Sequence, residues 1–347
     1  MRRLYEGNEA NVISVSTSAY DSPPTTGSID EIIIVAAPAV RNWMRWIVRD
    51  IAIWLRERVL KRLTVRRVQQ CVSKLDYDVL HVMSHGPYSA ALCDDRFCKG
   101  KQLWVSFHDH FSTTHSNFED TRLLWRNANR RLLISDELGR EYQRLFGNEP
   151  YTLITDGVTA DEISAPSTTI TGPVTIYFAG LLHLEYRSLF AVLADALDKL
   201  TNDGSSFKLI LRATQNIDFL NNRLFEVEYK PMTLNDKELK DELDAADILY
   251  LPIKFTVPDF YLYSLSTKMV GYLGGSGAIL YHGPADSAAC KRLLARNAAA
   301  VCTTLNVDEL VDAITGLLKQ KQDISANAKQ LAFDEFSMET IRRQFWQ

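Results

Sequence analysis

Two kinds of pattern alternate along this chain. Short apolar runs such as Val174–Ala179, Phe207–Leu211 and Ala278–Tyr281 have the length and composition of buried strands. Between such runs lie segments such as Asp136–Phe146 and Val307–Lys319, in which apolar residues recur at helical spacing. Because strands and helices follow one another in this way, the sequence predicts an α/β fold with doubly wound parallel sheets.

The length of the chain predicts two domains. Its 347 residues are too many for one ordinary α/β core and suit two domains of roughly 150 residues each. A stretch rich in serine, threonine and proline, 159–172, predicts a linker. We therefore predict a first domain over residues 1–158, a second domain over residues 173–335, and a last helix in 336–347.

The stretch Ser264–Pro284, with the sequence SLSTKMVGYLGGSGAILYHGP, is the most informative part of the chain. Ser266 and Thr267 can cap a short helix, which breaks at a glycine-rich turn before a buried strand. Free N–H groups at the start of such a helix, with Lys268 in its first turn, suit a diphosphate. We therefore predict an anion site at the start of this helix.

Polar residues directly follow the predicted strand Leu103–Phe107. Such a strand places His108 and Asp109 at the carboxyl edge of a parallel sheet, where ligands bind in this architecture. His108, His110 and His115 also permit a metal site, and purely structural histidines are a further interpretation. Because the remaining ligands of a metal centre are not evident in the sequence, we predict a site without a metal.

Residues 39–67 form a strongly basic segment. Trp43, Trp46 and Trp54 recur there at roughly helical spacing. Between Arg41 and Arg67 the sequence contains nine Lys or Arg and only two Asp or Glu. A basic amphipathic helix with tryptophans suits the surface of an anionic membrane. A long domain helix, with tryptophans in the core and arginines in solvent, explains the same pattern.

The composition is that of a soluble globular protein, with 46% hydrophobic and 24% charged residues. The sequence contains no apolar run of about 18 residues and no apolar signal-peptide core at its start. Five cysteines without a repeated spacing favour reduced thiols. We therefore expect a cytoplasmic protein, with peripheral attachment to the inner face of the membrane if the basic segment binds lipid.

The stretch Ser264–Pro284 resembles the donor-binding segment of the family 4 glycosyltransferases of GT-B fold, also known as group 1 glycosyltransferases. The family pattern reads S-x-K-x-x-E-Y-L-A-x-G-x-P-V. Ser266, Lys268, Tyr272 and Leu273 match this pattern, and so does the glycine break that follows them. The resemblance implies that this segment binds a nucleotide-sugar donor.

Weaker motifs of the same family occur in the same order along residues 75–345. They are DYDVLHVM, a VxxxHD element that His108 and Asp109 match, LISDELGREYQRLFG, and ADILYLP. The resemblance implies two Rossmann-like domains that face an interdomain cleft, and a last helix, 336–347, that returns to the first domain. We expect the family's usual first strand and glycine loop to be missing from the acceptor-side domain or replaced there.

Four positions depart from the family pattern. Gly271 and Tyr263 stand where the family has carboxylates that contact the sugar and the ribose of the donor. Leu181 and Tyr186 stand where the family has an arginine and a lysine that neutralise the diphosphate. The departures therefore concern the donor site.

A diphosphate buried without cations would be poorly held, so other basic residues must be considered. Arg187 lies one residue beyond the lost lysine, Arg212 ends a predicted strand, and Lys254 follows the ADILYLP motif. Each of the three is a candidate donor-binding residue beside Lys268. The ordinary alternative for the two arginines is a surface salt bridge.

The resemblance implies transfer of a hexose from a UDP- or GDP-linked sugar to a hydroxyl of a saccharide or lipid-linked acceptor. Retention at the anomeric carbon and a role in polysaccharide or glycolipid assembly are also implied. His108 and Asp109 would lie beside the reacting sugar, and neither a cofactor nor nucleic acid would be needed. A catalytically inactive GT-B protein that acts as partner or scaffold for another glycosyltransferase is an alternative, and a sugar-nucleotide epimerase is a third.

Overall fold

The structure, a computed structural model, describes residues 2–18, 30–35, 61–114, 116–167, 170, 172–182 and 184–347. The chain separates into two compact units, Met1–Leu153 and Ile154–Gln347. Both units have the predicted α/β composition. The linker over 159–172 and the return of residues 336–347 to the first domain stay predictions.

The first unit combines two parallel sheets with short helices. In chain order its helices and strands are α1 Arg2–Tyr5, β1 Ile13–Ser18, β2 Asp30–Val35, α2 Lys61–Val72, β3 Val79–Met83, α3 Asp95–Cys98, β4 Gln102–Phe107, α4 Phe118–Asn127, β5 Arg130–Leu133, α5 Asp136–Phe146 and β6 Thr152–Leu153. Strands β1 and β2 pair with each other, and β3, β4, β5 and β6 form a second sheet in that order. All of these pairs are parallel.

Strand β4 lies in the core of the first unit, with every residue from Leu103 to Phe107 buried. Leu103, Val105 and Phe107 alternate along this strand and are almost completely buried. The ring of Phe107 lies 5.8 Å from that of Trp125 and 5.2 Å from that of Tyr142, measured between centroids. These aromatic contacts hold helices α4 and α5 against the sheet.

The second unit contains one six-stranded sheet. Its helices and strands are β7 Val174–Ala179, α6 Arg187–Asn202, β8 Phe207–Arg212, β9 Glu226–Lys230, α7 Asp236–Ala245, β10 Ile248–Pro252, α8 Pro258–Tyr263, α9 Thr267–Gly274, β11 Ala278–His282, α10 Ala288–Ala295, β12 Ala300–Cys302, α11 Val307–Lys319, α12 Lys321–Glu335 and α13 Met338–Trp346. The strand order is β12-β11-β10-β7-β8-β9, and all neighbours are parallel.

The sheet of the second unit is covered on both faces. Every residue of β10 and β11 is buried, as expected for parallel strands beneath helices. Phe190 of α6 packs edge-on against Phe178 and Tyr250, with ring centroids 5.0 and 5.3 Å away. The apolar runs in the sequence therefore correspond to central strands.

Several elements have the bounds that the sequence predicts. Strand β7, helix α5 and helix α11 agree residue for residue with Val174–Ala179, Asp136–Phe146 and Val307–Lys319. The hydroxyl of Ser135 accepts a hydrogen bond from the Leu138 N–H at 3.1 Å and thereby caps the start of α5. These signals are local in the sequence, which explains why they are reliable.

The basic segment 39–67 is only partly covered by the structure. Residues 39–60 lie outside the described residues, and the end of the segment belongs to α2. Thr64, Val68 and Val72 form the buried face of this helix. Within the part of the chain that the structure describes, no helix is long and apolar enough to cross a membrane.

His282 ends strand β11 and is completely buried. Its Nδ1 lies 2.9 Å from the hydroxyl of Tyr250, and its Nε2 lies 2.7 Å from the carbonyl oxygen of Thr304. A carbonyl oxygen only accepts, so Nε2 carries the proton. Burial lowers the pKa of His282 to about 4, although the Thr304 carbonyl acts in the opposite direction. The imidazole is therefore neutral near pH 7.

The neutral state of His282 predicts a pH-dependent stability. In an unfolded chain the pKa of histidine is about 6.5, so the unfolded state binds a proton between pH 6.5 and 4 that the folded state does not. The free energy of unfolding therefore falls as the pH falls through this window, by about 2 kcal/mol from pH 7 to pH 5 for this one group. We expect His282→Gln to remove this contribution. Between pH 7 and pH 5 the free energy of unfolding of the variant should therefore fall by about 2 kcal/mol less than that of the wild type.

Urea denaturation followed by circular dichroism at pH 7 and pH 5 measures this difference. The matched control is His85→Gln, because His85 is exposed. Equal pH dependence in the wild type and in His282→Gln would show that His282 does not carry the effect.

Candidate functional site

The predicted donor site lies at the carboxyl edge of the sheet in the second unit. Strand β7 ends at Ala179 and is followed by Gly180, while β10 ends at Pro252 and is followed two residues later by Lys254. Helix α9 begins at Thr267. The structure thus brings together one sheet edge and one helix start, as the sequence predicts for a ligand site in such a sheet.

Lys268 has an unusual environment for a lysine. Its ammonium lies over the ring of Phe178, 4.8 Å from the centroid. A β-carbon added at Gly180 would lie 2.7 Å from this Nζ atom, and Gly180 has a φ of +139°. Glycine adopts this backbone conformation without strain, and a β-carbon at this position would displace the ammonium.

The charge of Lys268 has no carboxylate partner among the residues that the structure describes. Burial lowers the pKa of Lys268 because the charged form loses solvent. A half-buried cation of this kind gains from an anionic ligand. The environment of Lys268 therefore agrees with the anion site that the sequence predicts.

The start of α9 differs in one detail from the prediction. Ser266 occupies the N-cap position with an extended backbone, but its side chain makes no capping hydrogen bond. Its backbone carbonyl accepts from the Val270 N–H at 3.4 Å. The predicted capping by the Ser266 side chain is therefore wrong, and its hydroxyl is not used to satisfy the first turn.

Arg212 is part of a buried ion-pair network. Its Nε donates to Glu242 at 2.9 Å, its Nη1 to the Pro231 carbonyl oxygen at 2.6 Å and its Nη2 to Glu238 at 2.7 Å. Glu242 also accepts from Lys230 at 2.8 Å. Because its donors face these acceptors, the Arg212 side chain stabilises the fold of the second unit, and we do not include it in the proposed donor site.

The other two candidate cations have different surroundings. Lys254 forms an ion pair with Glu185, with 2.6 Å between Nζ and Oε2, and its ammonium lies 5.1 Å from the ring centroid of Phe260. Arg187 is exposed at the start of α6, with its guanidinium 5.3 Å from the ring centroid of Phe219. Arg187, Arg212 and Lys254 are the three candidates to replace the family's lost cations. Within the described part of the chain, Arg187 is the one of the three that forms no ion pair with a carboxylate.

The positions that depart from the family pattern lie around the same edge. Leu181 directly follows Gly180 and is 62% exposed, so an apolar side chain faces solvent there. A β-carbon added at Gly271 would meet no atom within 4 Å. The space for a larger side chain at position 271 of α9 is therefore open, although the chain carries a glycine.

In the first unit, His108 and Asp109 directly follow strand β4, as predicted. The adjacent face of the sheet is polar: Nε2 of His81 lies 2.8 Å from the hydroxyl of Ser106. Burial, followed by repulsion from His108, lowers the pKa of His81 to about 3. His81 is therefore neutral near pH 7.

The histidines after β4 do not form a described metal centre. Nδ1 of His110 lies 2.8 Å from the hydroxyl of Ser112, and His115 lies outside the described residues. Among the residues with described positions, no group of three or more histidine, cysteine, aspartate or glutamate side chains is arranged to hold a metal ion.

Sequence reasoning missed Gly180, Phe178 and Glu185, which surround the candidate cations. A glycine directly after a buried strand was the available signal for Gly180, since such glycines allow close approach at a sheet edge. No local signal distinguishes Phe178 from other core residues. The pairing of Glu185 with Lys254 joins residues 69 positions apart and has no local signal either.

No protein-family model and no curated protein matches this sequence. Solved structures, however, are similar over nearly the whole chain. A sucrose-phosphate synthase from Thermosynechococcus elongatus is 13% identical, with a TM-score of 0.69 over 97% of this chain and 87% of that chain.

Two further structures are similar in the same way. A glycosyltransferase from Rickettsia africae is 12% identical, with a TM-score of 0.62 over 92% of this chain and 83% of that chain. A UDP-forming α,α-trehalose-phosphate synthase from Burkholderia vietnamiensis is 10% identical, with a TM-score of 0.63 over 97% and 98%. Two Rossmann-like units of parallel strands and this similarity show that the protein has the GT-B fold of glycosyltransferases.

Proposed function

We propose that the protein is a glycosyltransferase that moves a hexose from a nucleotide diphosphate sugar to an acceptor hydroxyl. The observation that carries the proposal is Lys268 at the carboxyl edge of the sheet in the second unit, a half-buried lysine with no carboxylate partner among the described residues. Its ammonium lies directly beside the backbone of Gly180, where β7 has just ended. A donor diphosphate would supply the missing negative charge.

In this proposal the residues act mainly through electrostatics. Lys268 and the first N–H groups of α9, near Ser266 and Thr267, would stabilise the charge that develops on the leaving diphosphate. Arg187 is exposed and can approach the same anion. His108 and Asp109 would lie beside the reacting sugar, and these groups need no metal to carry the leaving charge.

The donor that we propose is UDP-linked. One structurally similar protein is a UDP-forming synthase, and another was solved in complex with UDP. The resemblance of the sequence to family 4 supports retention at the anomeric carbon and a role in polysaccharide or glycolipid assembly. A cytoplasmic location fits the five free cysteines.

We expect Lys268→Met to weaken UDP binding by at least about tenfold, because the charged hydrogen-bond donor beside Phe178 is lost while an unbranched side chain of similar length is kept. A thermal-shift panel with UDP, GDP, ADP and CMP identifies the nucleotide, since a ligand at 100 times its dissociation constant adds about 2.7 kcal/mol. Calorimetric titration then gives the affinity of each variant.

The matched control is Lys199→Met, which removes a half-exposed lysine from an ion pair on α6 of the same unit. This variant should bind UDP like the wild type. Unchanged affinity in Lys268→Met would remove the observation on which the proposal depends.

A second candidate function is a catalytically inactive partner or scaffold for another glycosyltransferase. Gly271 and Tyr263 replace the carboxylates of the family pattern, and Leu181 and Tyr186 replace its cations. The engagement of Arg212 with two glutamates removes one substitute cation. Turnover of a UDP-sugar by the wild type would exclude this alternative.

We expect Gly271→Glu to bind a UDP-hexose more tightly than Gly271→Gln, by about tenfold, because only the carboxylate accepts charge-assisted hydrogen bonds from donor hydroxyls. The open space at position 271 allows both side chains. Calorimetric titration measures the two affinities, and unfolding by urea shows whether both variants are folded. Equal affinities would mean that position 271 does not face the donor.

We also propose that the basic segment binds an anionic membrane surface through its exposed face. In α2, Arg62, Leu63 and Arg66 are exposed on the side opposite Val68, and the helix contains no acidic residue. Lys61 pairs with Asp120 at 3.1 Å. A basic face that carries an exposed leucine suits an anionic lipid surface.

We expect the double variant Arg62→Glu and Arg66→Glu to lose at least about tenfold in binding to vesicles that contain phosphatidylserine, since each cation near such a surface contributes roughly 1 kcal/mol. Co-sedimentation with anionic and with neutral vesicles measures this. The control reverses two exposed lysines of the second unit, Lys237→Glu and Lys291→Glu. Equal losses in both double variants would show that net charge, and not this helix, determines binding.

A further inference from the structure

The segment that follows β7 is tied to the segment that follows β8. The hydroxyl of Thr214 donates to the carbonyl oxygen of Gly180 at 2.8 Å, and the amide of Gln215 donates to the carbonyl oxygen of Leu182 at 2.7 Å. Leu182 is also buried. On the β8 side, the segment after β7 is therefore held through hydrogen bonds to its own backbone carbonyl groups.

On its other side, the same segment is tied to the segment that follows β10. Oε2 of Glu185 accepts from Nζ of Lys254 at 2.6 Å, and Oε1 accepts from the hydroxyl of Thr256 at 3.4 Å. Strands β10, β7 and β8 are neighbours in the sheet. Glu185 therefore connects two adjacent segments at the edge where Lys268 lies.

We propose that the Glu185–Lys254 ion pair is a positioning pair for the donor site. It fixes the segment after β7 from the β10 side, so that Gly180 stays against Lys268 in one geometry. The inference rests on the proposed function, since it names residues that act on the same donor site. Lys254 acts here through Glu185, and not as a ligand of the diphosphate.

The Glu185–Lys254 pair contributes more to the geometry of the donor site than to the free energy of unfolding. The side chain of Glu185 is 42% exposed and that of Lys254 19%, and partly exposed ion pairs contribute little to the free energy of unfolding. A binding site, however, gains affinity when its parts are held in the bound geometry beforehand. Loss of the pair should therefore change donor affinity without a large change in melting temperature.

The first experiment compares single variants. We expect Glu185→Gln and Lys254→Met each to weaken UDP binding by roughly five- to tenfold, while the melting temperature stays close to that of the wild type. The control is Asp308→Asn, which breaks the Lys199–Asp308 pair, also 2.6 Å long and in the same unit. Unchanged affinity in both single variants overturns the proposal, and so does tighter binding by Glu185→Gln, which would mean that Glu185 competes with the donor.

The charge-reversed double variant, Glu185→Lys with Lys254→Glu, separates positioning from direct contact. We expect it to recover most of the affinity that each single reversal loses, because the pair is restored. If the affinity is not recovered, Lys254 contacts the donor itself and the proposal is wrong.

Hydrogen exchange of the nucleotide-free protein tests the proposal without a donor. Backbone amides of residues 181–186 should exchange several-fold faster in Glu185→Gln than in the wild type or in Asp308→Asn. If the wild type binds no nucleotide but this difference is found, the proposed donor function fails while the positioning pair stands. Unchanged exchange overturns the positioning pair.

Discussion

Parallel pairing of all the described strands is the constraint on which the candidate sites depend. In a parallel sheet every strand ends at the same edge, so residues that are distant in the sequence meet there. This edge brings Gly180, Lys254 and the start of α9 together in the second unit. In the first unit it places His108 directly after β4.

The cations near that edge of the second unit fall into two groups. Arg212 and Lys254 are paired with glutamates, so their charges are already neutralised within the protein. Lys268 instead packs on the ring of Phe178, and burial lowers its pKa. Removing a cation from water costs free energy unless an opposite charge compensates it, and for this reason we propose the ligand site at Lys268 and not at the two paired cations.

The departures from the family pattern have two different physical consequences. At position 271 the missing side chain leaves open space, so the fold itself does not exclude a carboxylate. At position 180 the glycine is required because a φ of +139° is strained for other residues, and a β-carbon there would also displace the Lys268 ammonium. The site therefore retains the close approach of lysine and backbone, while the acidic contacts of the resembling family are absent from positions 263 and 271.

The sequence by itself determined the order of strands and helices, the fold class and the place of Lys268 at a helix start, because periodicity, caps and motif order are local features. Helix α11 and strand β7 agree with the prediction for this reason. Only the tertiary structure decided which cations are engaged. Arg212 ends β8 and Lys254 lies two residues after β10, yet their partners lie 30 and 69 positions away in the chain, and no local pattern encodes such a pairing.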